Sequence, residues 1–243
     1  MNEQVIGAPV RRKEDFRFLT GAGHYTDDIN RPGQLCAYIL RSPHAHAEIA
    51  GIDTGKASGA PGVSAVFTAA DLQVGGLPCG WLVNSKDGSP MVEPPHPLLA
   101  TGKVRHVGDP VALVIADTLE QAKDAAELIE VSYNPLPAVV AADDAIEPGK
   151  PQLFDNAPHN ICFDWHLGDK AAVDLAFTQA HHVTRLDIIN NRLVSDPMET
   201  RAAIGEYDRA TGDYTLYTTS QDPHVIRLLS PPLSFRFPST SSG

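Results

Sequence analysis

The chain has 243 residues, 42% hydrophobic and 20% charged, the make-up of a globular protein with room for one large domain or two modest ones. Against 30 Asp and Glu stand 19 Lys and Arg, a net charge of −11, which argues against nucleic acid as a partner because phosphate neutralisation needs clustered cations. No apolar run reaches the ~20 residues that cross a bilayer, and the N-terminus lacks the apolar core of a signal peptide, so no membrane is implied. Cys36, Cys79 and Cys162 are scattered with no CxxC unit. They read as small core residues of a cytoplasmic protein, not as iron–sulfur or zinc ligands.

In chain order, residues 1–18 are polar and read as extended, and 20–34 form a loop rich in Gly, Asp and Pro. A strand is expected over 35–42, with 47–54 as its hairpin partner across the turn "PHAH". A further strand is expected over 62–68, where Thr68 caps the short turn "AADL". Residues 75–102 are a long excursion with little periodicity, longer than a compact domain leaves without purpose. "VRHVGDPVALVIA" (104–116) reads as a strand whose continuous apolar end is buried on both faces.

The clearest helix follows. Thr118 and Gln121 form a capping-box pair, and Ala122, Ala125, Ala126 and Ile129 make an apolar stripe. "IEVSY" returns as a strand, giving a strand–helix–strand unit, and 141–160 reads as a Pro-rich, acidic linker. Beyond it lie a short helix with Val173, Ala176, Phe177 and Ala180 on one side, a strand "VTRLDIINN", and a hairpin whose loop runs from Arg209 to Gly212. Asp222 caps a last helix with Pro223 in its first turn, before Ser230-Pro231-Pro232 stops it. Antiparallel hairpins mixed with a few helices make the fold class α+β.

Most chemical signals have bland explanations. The ten histidines contain no HExxH unit or Cys/His ligand set and read as turn or surface residues. "TGAGHYTDD" is a turn, since its carboxylates would repel phosphate. Ser42 lacks a GxSxG elbow. Asp27-Asp28 and Asp143-Asp144 read as solvated loop carboxylates, and Trp81 as a core or interface side chain. Arg192, Asp196, Glu199 and Arg201 put four charges into ten residues, which read first as a surface ion-pair network. Gln221 stands at a strand-to-helix break, where a neutral amide can hydrogen-bond an oxo ligand without bringing charge.

A resemblance rests on an ordered set of segments. They are "RRKEDFRFLTGAGHYTDDINRPGQLCAYILRSPHAHAEIAGID", "APGVSAVFTAADL", "VRHVGDPVALVIADTLEQAKDAAELIEVSYNPLPAVV", "LFDNAPHNICFDWHLGD" and "NNRLVSDPMETRAAIGEYDRATGDYTLYTTSQDPHVIRLL". Together they resemble the N-terminal part of the large, molybdopterin-binding subunit of the molybdenum hydroxylases: the xanthine dehydrogenase, aldehyde oxidase and carbon monoxide dehydrogenase families. The resemblance implies an α/β hammerhead domain over 19–136, a linker over 137–158, the start of a molybdopterin-binding domain over 159–229, and an aberrant or disordered tail over 230–243.

It further implies oxidative hydroxylation of an aldehyde, an N-heterocycle or a related substrate, or CO oxidation. A glutamate serves as base, and electrons leave through flavin-binding and [2Fe-2S] subunits in the bacterial arrangement; a dimer of large subunits is a further implied association. Gln221 matches the family's "TSQ" glutamine near the molybdenum ligands of the molybdopterin-type cofactor; Glu199, in "PMET", is a landmark without an assigned role. The glycine-rich cofactor run and the glutamate base are not found in these 243 residues. The expectation is therefore a truncated fragment, from a frameshift, an early stop or a tagged truncation, that binds no cofactor and is inactive alone, with no catalytic and no metal-ligating residue of its own. The alternative expectation is a non-catalytic hammerhead scaffold for subunit docking, and a weaker third is a small-molecule binder using Trp81.

Overall fold

The computed structural model describes residues 7, 9–72, 76–191 and 193–229. In chain order the elements are α1 (Asp15–Leu19), β1 (Cys36–Arg41), β2 (Ala47–Asp53), α2 (Gly55–Ser58), β3 (Val63–Thr68), β4 (Lys103–Val104), β5 (Pro110–Ala116), α3 (Leu119–Glu127), β6 (Glu130–Pro135), α4 (Ala142–Ala145), α5 (Lys170–Gln179), β7 (Ala203–Tyr207), β8 (Tyr214–Thr218) and α6 (Pro223–Leu229). They fall into two compact units, one built on Leu35–Asp187 and the other on described residues of Met1–Gln34 and Ile188–Leu228.

In the larger unit, β5 is the centre of an antiparallel sheet ordered β1-β5-β3. Its apolar run is buried on both faces, as the sequence predicts. Ala112, Val114 and Ala116 pack with the alanines of α3, whereas Val111 joins Ala47, Ala100 and Val104 in a second cluster. The small side chains of Ala122, Ala125 and Ala126 are buried and let α3 lie close on the sheet. Its start is fixed reciprocally: Gln121 N–H donates to Thr118 Oγ1 at 3.2 Å, and Thr118 N–H donates to Gln121 Oε1 at 3.1 Å. Thr68 holds the following turn in the same way, its N–H and hydroxyl donating to Asp71 Oδ2 at 2.7 and 2.8 Å.

One expected pairing is corrected. β2 is not the hairpin partner of β1; it is the centre of a separate sheet ordered β4-β2-β6. The turn between them redirects the chain because its backbone groups are taken elsewhere: Ser42 N–H donates to Asp109 O, Gly108 N–H to Ser42 O, and Leu136 N–H to His46 O. The expected strand–helix–strand unit is present as β5-α3-β6, with β5 and β6 in different sheets. The run 104–116 is likewise broken between β4 and β5. Arg105 N–H donates to Asp109 Oδ2 there, and Gly108 takes φ 90°, a value open to glycine.

The stretch read as a linker is tied down by side chains. Asn160 Nδ2 donates to Ala145 O and Pro151 O, and Leu153 N–H donates to Asn160 Oδ1, each within 2.9 Å. Asn160 adopts φ 57°, which asparagine tolerates better than most residues. Arg105 Nε donates to Leu153 O, and its guanidinium lies 4.4 Å over the Phe154 ring. Asp143 and Asp144 belong to α4 and not to a loop, and Asp144 lies 3.7 Å from Lys150 Nζ. The described part of the 75–102 excursion is anchored by Lys86 N–H to Asp164 O and Val92 N–H to Cys162 O.

Other expectations fail on burial. Trp81 is 82% exposed and is not a core side chain. Cys79 is exposed and Cys36 and Cys162 are half-buried, so the thiols are not core residues. His46, expected at the surface, is buried, and its Nδ1–H donates to Pro137 O at 2.9 Å. α5 forms, capped by Asp169, but Val173, Ala176, Phe177 and Ala180 are all exposed. Residues 183–191 form no strand and every one of them is exposed. Strand formation needs a ladder partner, and none exists among the described residues.

The smaller unit centres on the β7–β8 hairpin, paired from Ala203–Thr218 to Tyr207–Tyr214. Gly212 closes its loop at φ 79°. Arg31 Nη2 donates to the Tyr217 hydroxyl at 2.9 Å, with the guanidinium 5.1 Å over the ring. Tyr217 in turn donates to Glu206 Oε2 at 3.3 Å. Asp28 is no free carboxylate: its Oδ2 accepts from Tyr25 N–H at 2.8 Å. The expected aberrant or disordered tail (230–243) and Arg192 lie outside the described residues.

Candidate functional site

The smaller unit brings together the two segments the sequence singled out. Thr218 Oγ1 and Thr219 N–H both donate to Ala202 O at 3.3 Å, closing the open end of the hairpin. Thr219 Oγ1 then donates to Glu199 Oε1 at 3.3 Å, which joins "PMET" to "TSQ". Neighbouring Thr200 Oγ1 reaches Asp27 Oδ2 at 3.4 Å. Sequence spacing could not show these links, because the partners are 20 and 173 residues apart.

Gln221 follows at the turn from β8 into α6. Ser220 Oγ accepts from Asp222 N–H, and Asp222 Oδ1 accepts from Val225 N–H, both at 3.1 Å. These bonds hold the backbone on either side of Gln221. Its own side chain is exposed, and no described residue engages its amide. A free amide on a fixed backbone offers a donor and an acceptor to an outside group.

The charges nearby do not form the expected network: among the described residues Asp196, Glu199 and Arg201 make no ion pair. Asp196 carries φ 43°, which bends the chain just before Pro197. No described group of three or more His, Cys, Asp or Glu could hold a metal. Ser42 is buried and its Oγ accepts from His44 N–H at 3.0 Å, the bond of a local turn. Among the described residues, the groups with displaced pKa values, Lys56, Lys86, Asp87 and Tyr133, all belong to the larger unit. Tyr133 is raised above 10.0 chiefly by burial. That unit also holds an open cleft of about 620 Å³ lined by Glu48, Lys103, Arg105, Asn134 and Phe154 among others, neither Gln221 nor Glu199 being part of it.

For a molybdopterin-type cofactor, Gln221 fits as one contact: a neutral, unengaged amide suited to an oxygen ligand. The other described residues of the turn spend their polar groups on the turn itself.

Two family models match the chain, and each match runs through parts of both compact units. Residues 20–137 match the family model "Aldehyde oxidase and xanthine dehydrogenase, a/b hammerhead domain", and residues 153–232 match "Molybdopterin cofactor-binding domain". The carbon monoxide dehydrogenase large chain of Afipia carboxidovorans is 38% identical over 236 residues, covering 92% of this chain and 28% of that one. The nicotine 6-hydroxylase large subunit of Paenarthrobacter nicotinovorans is 37% identical over 94% of this chain and 27% of its own length. Among solved structures, reconstituted CO dehydrogenase from Oligotropha carboxidovorans superposes with a TM-score of 0.78 at 36% identity, over 94% of this chain and 29% of that chain. The chain thus spans under a third of the length of these relatives. It belongs to the large-subunit family of the aldehyde oxidase, xanthine dehydrogenase and carbon monoxide dehydrogenase group, of which it carries the hammerhead domain and part of the molybdopterin cofactor-binding domain.

Proposed function

We propose that this chain supplies the hammerhead and the opening of the cofactor domain to a bacterial, cytoplasmic molybdenum hydroxylase, and that the 243 residues alone turn nothing over. The parent reaction is oxidative hydroxylation of an aldehyde or N-heterocycle, or CO oxidation, with flavin-binding and [2Fe-2S] subunits as partners. The observation that carries this reading is Gln221: an exposed, unengaged amide on a turn fixed from both sides. When bound, the molybdenum cofactor supplies the two-electron redox chemistry. Gln221 would hold an oxygen of that group through its amide N–H, and the Thr219–Glu199 bond would steady the turn that presents it. The exposed Val173 and Phe177 share one face of α5 and Leu175 lies on another, so apolar surface is left open around the helix, as expected of a fragment parted from the rest of its domain.

A chimera tests this. The matching segment of the Afipia carboxidovorans large chain is replaced by this sequence and expressed with that enzyme's remaining subunits. The chimera should retain molybdenum and reduce a dye with substrate, and Gln221→Ala should lower turnover by about 10²-fold, the usual cost of one lost donor at a reacting group. An unchanged rate in Gln221→Ala removes the role given to Gln221. Stoichiometric molybdenum and dye reduction in the purified 243-residue chain would refute its inactivity.

A further inference from the structure

The sequence holds a single Asp-Gly pair, Asp87-Gly88, and no Asn-Gly. An aspartate before glycine is open to attack by the following amide nitrogen on its own side-chain carboxyl, because glycine has no β-carbon to shield that nitrogen and lets the backbone turn freely. Both residues are exposed, Gly88 has φ 85°, and a side chain there would meet nothing within 4 Å. Sterics therefore do not close the site. Hydrogen bonds occupy both reacting groups instead. Asp87 Oδ1 accepts from the Ser89 hydroxyl at 2.6 Å and from the Ser89 N–H at 2.9 Å. The Gly88 N–H donates to Ser85 O at 2.9 Å, and the Ser85 N–H donates to Ser89 O at 2.8 Å across the same turn.

We propose that Asp87-Gly88 is a guarded site of isoaspartate formation, held closed by the Ser89 hydroxyl on the carboxylate and by Ser85 O on the amide. In the guarded reaction the Gly88 nitrogen forms a bond to Asp87 Cγ, and its proton leaves with a carboxyl oxygen as water. The product is a five-membered cyclic imide. Water then opens the ring at the Asp87 backbone carbonyl, so the chain runs through the side chain and a free α-carboxylate remains. Water is lost once and gained once, and nothing is oxidised or reduced. The Ser89 donors also hold the carboxyl ionised, the poorer electrophile. To reach Cγ, the Gly88 nitrogen must give up its bond to Ser85 O, and the carboxylate must give up Ser89. The extra backbone carbon of the product would also break the Ser85–Ser89 closure of the turn.

Ageing of the 243-residue chain at neutral pH and body temperature tests this, beside a free peptide of residues 84–90. Isoaspartate at 87 is read after denaturation by resistance to a protease that cuts before aspartate and by labelling with an isoaspartyl methyltransferase. Deamidation at Asn84 is separated because it changes the mass, whereas isomerisation at Asp87 does not. The folded chain should isomerise at Asp87 about tenfold or more slowly than the peptide, the factor expected for hydrogen bonds that must be broken first. Ser89→Ala should speed the reaction in the chain by about fivefold. Ser89→Thr, which keeps a hydroxyl, should stay at the wild-type rate. Far-UV circular dichroism confirms that both variants fold. A chain as fast as the peptide, a Ser89→Ala rate equal to wild type, or a Ser89→Thr rate equal to that of Ser89→Ala would each overturn the guard.

Discussion

The Thr219 hydroxyl donates to Glu199 Oε1 at 3.3 Å and so fastens the segment before the hairpin to the turn after it. Thr219 is exposed and Glu199 half-buried, and a hydrogen bond that water can reach contributes little to stability because water replaces it on rupture. Thr219→Val and Glu199→Gln should therefore each change the unfolding free energy of this chain by no more than about 0.5 kcal/mol in urea titrations. In the chimera described above, Thr219→Val should lower turnover while leaving the folded fraction unchanged. A loss of about 2 kcal/mol or more in the isolated chain would make the bond a structural one instead.

The core tells a different story. Val114 is fully buried at the centre of β5, packed with the α3 alanines. Val114→Ala removes two methyl groups and leaves a cavity, at about 2 kcal/mol. Ile189→Ala, at a fully solvated site in the same chain, should cost under about 0.5 kcal/mol at concentrations where the protein is monomeric. Equal losses at the two positions would mean that the exposed segment is packed in solution.

What could be read from sequence follows from locality. The Thr118–Gln121 box, the Ala122, Ala125 and Ala126 stripe, the Thr68 cap and the Asp222 cap each act over three or four residues, so their spacing announces them. β5 was legible as doubly buried because a continuous apolar run leaves no polar face. Strand partners were not legible. β1 and β2 are adjacent in sequence, yet the choice of sheet was made by Asp109, Gly108 and Leu136, far along the chain. The apolar pattern of 183–191 predicted a strand, but a pattern supplies only the side chains of a ladder, and its backbone partner must come from elsewhere. The place of Gln221 between strand and helix was legible; the bond from Thr219 to Glu199 was not.

Asn160 is a single side chain that makes three hydrogen bonds, to Ala145, Pro151 and Leu153. It holds the 145–153 stretch to its own backbone while sitting at φ 57°. Asn160→Ala loses all three bonds and places alanine in an unfavourable conformation, a combined cost of about 3 kcal/mol. Asn160→Gly loses the bonds but keeps the conformation, so it should fall between the two. Hydrogen exchange at the Leu153 amide is the direct readout, and both variants should accelerate it. Unchanged protection at Leu153 would show that the Arg105 Nε contact to Leu153 O suffices.

Asp87 sits in an exposed turn, and its carboxyl is held below the ordinary 3.8. The Ser89 hydroxyl, at 2.6 Å from Asp87 Oδ1, is the first cause, followed by the Ser89 N–H at 2.9 Å. Both donors favour the ionised form. A lowered folded value means that the turn gains stability above 3.8 and loses it as pH falls through the lower, folded value. A carbon-detected titration of the Asp87 carboxyl should give a midpoint below 3.8, and Ser89→Ala, which keeps the N–H but removes the hydroxyl, should move it part of the way back. The Lys86 ammonium, a smaller contributor, is engaged with Asp164 at 2.5 Å. A midpoint that ignores Ser89→Ala but climbs with added salt would transfer the cause from the hydroxyl to that neighbouring charge, since only the charge is screened over a Debye length.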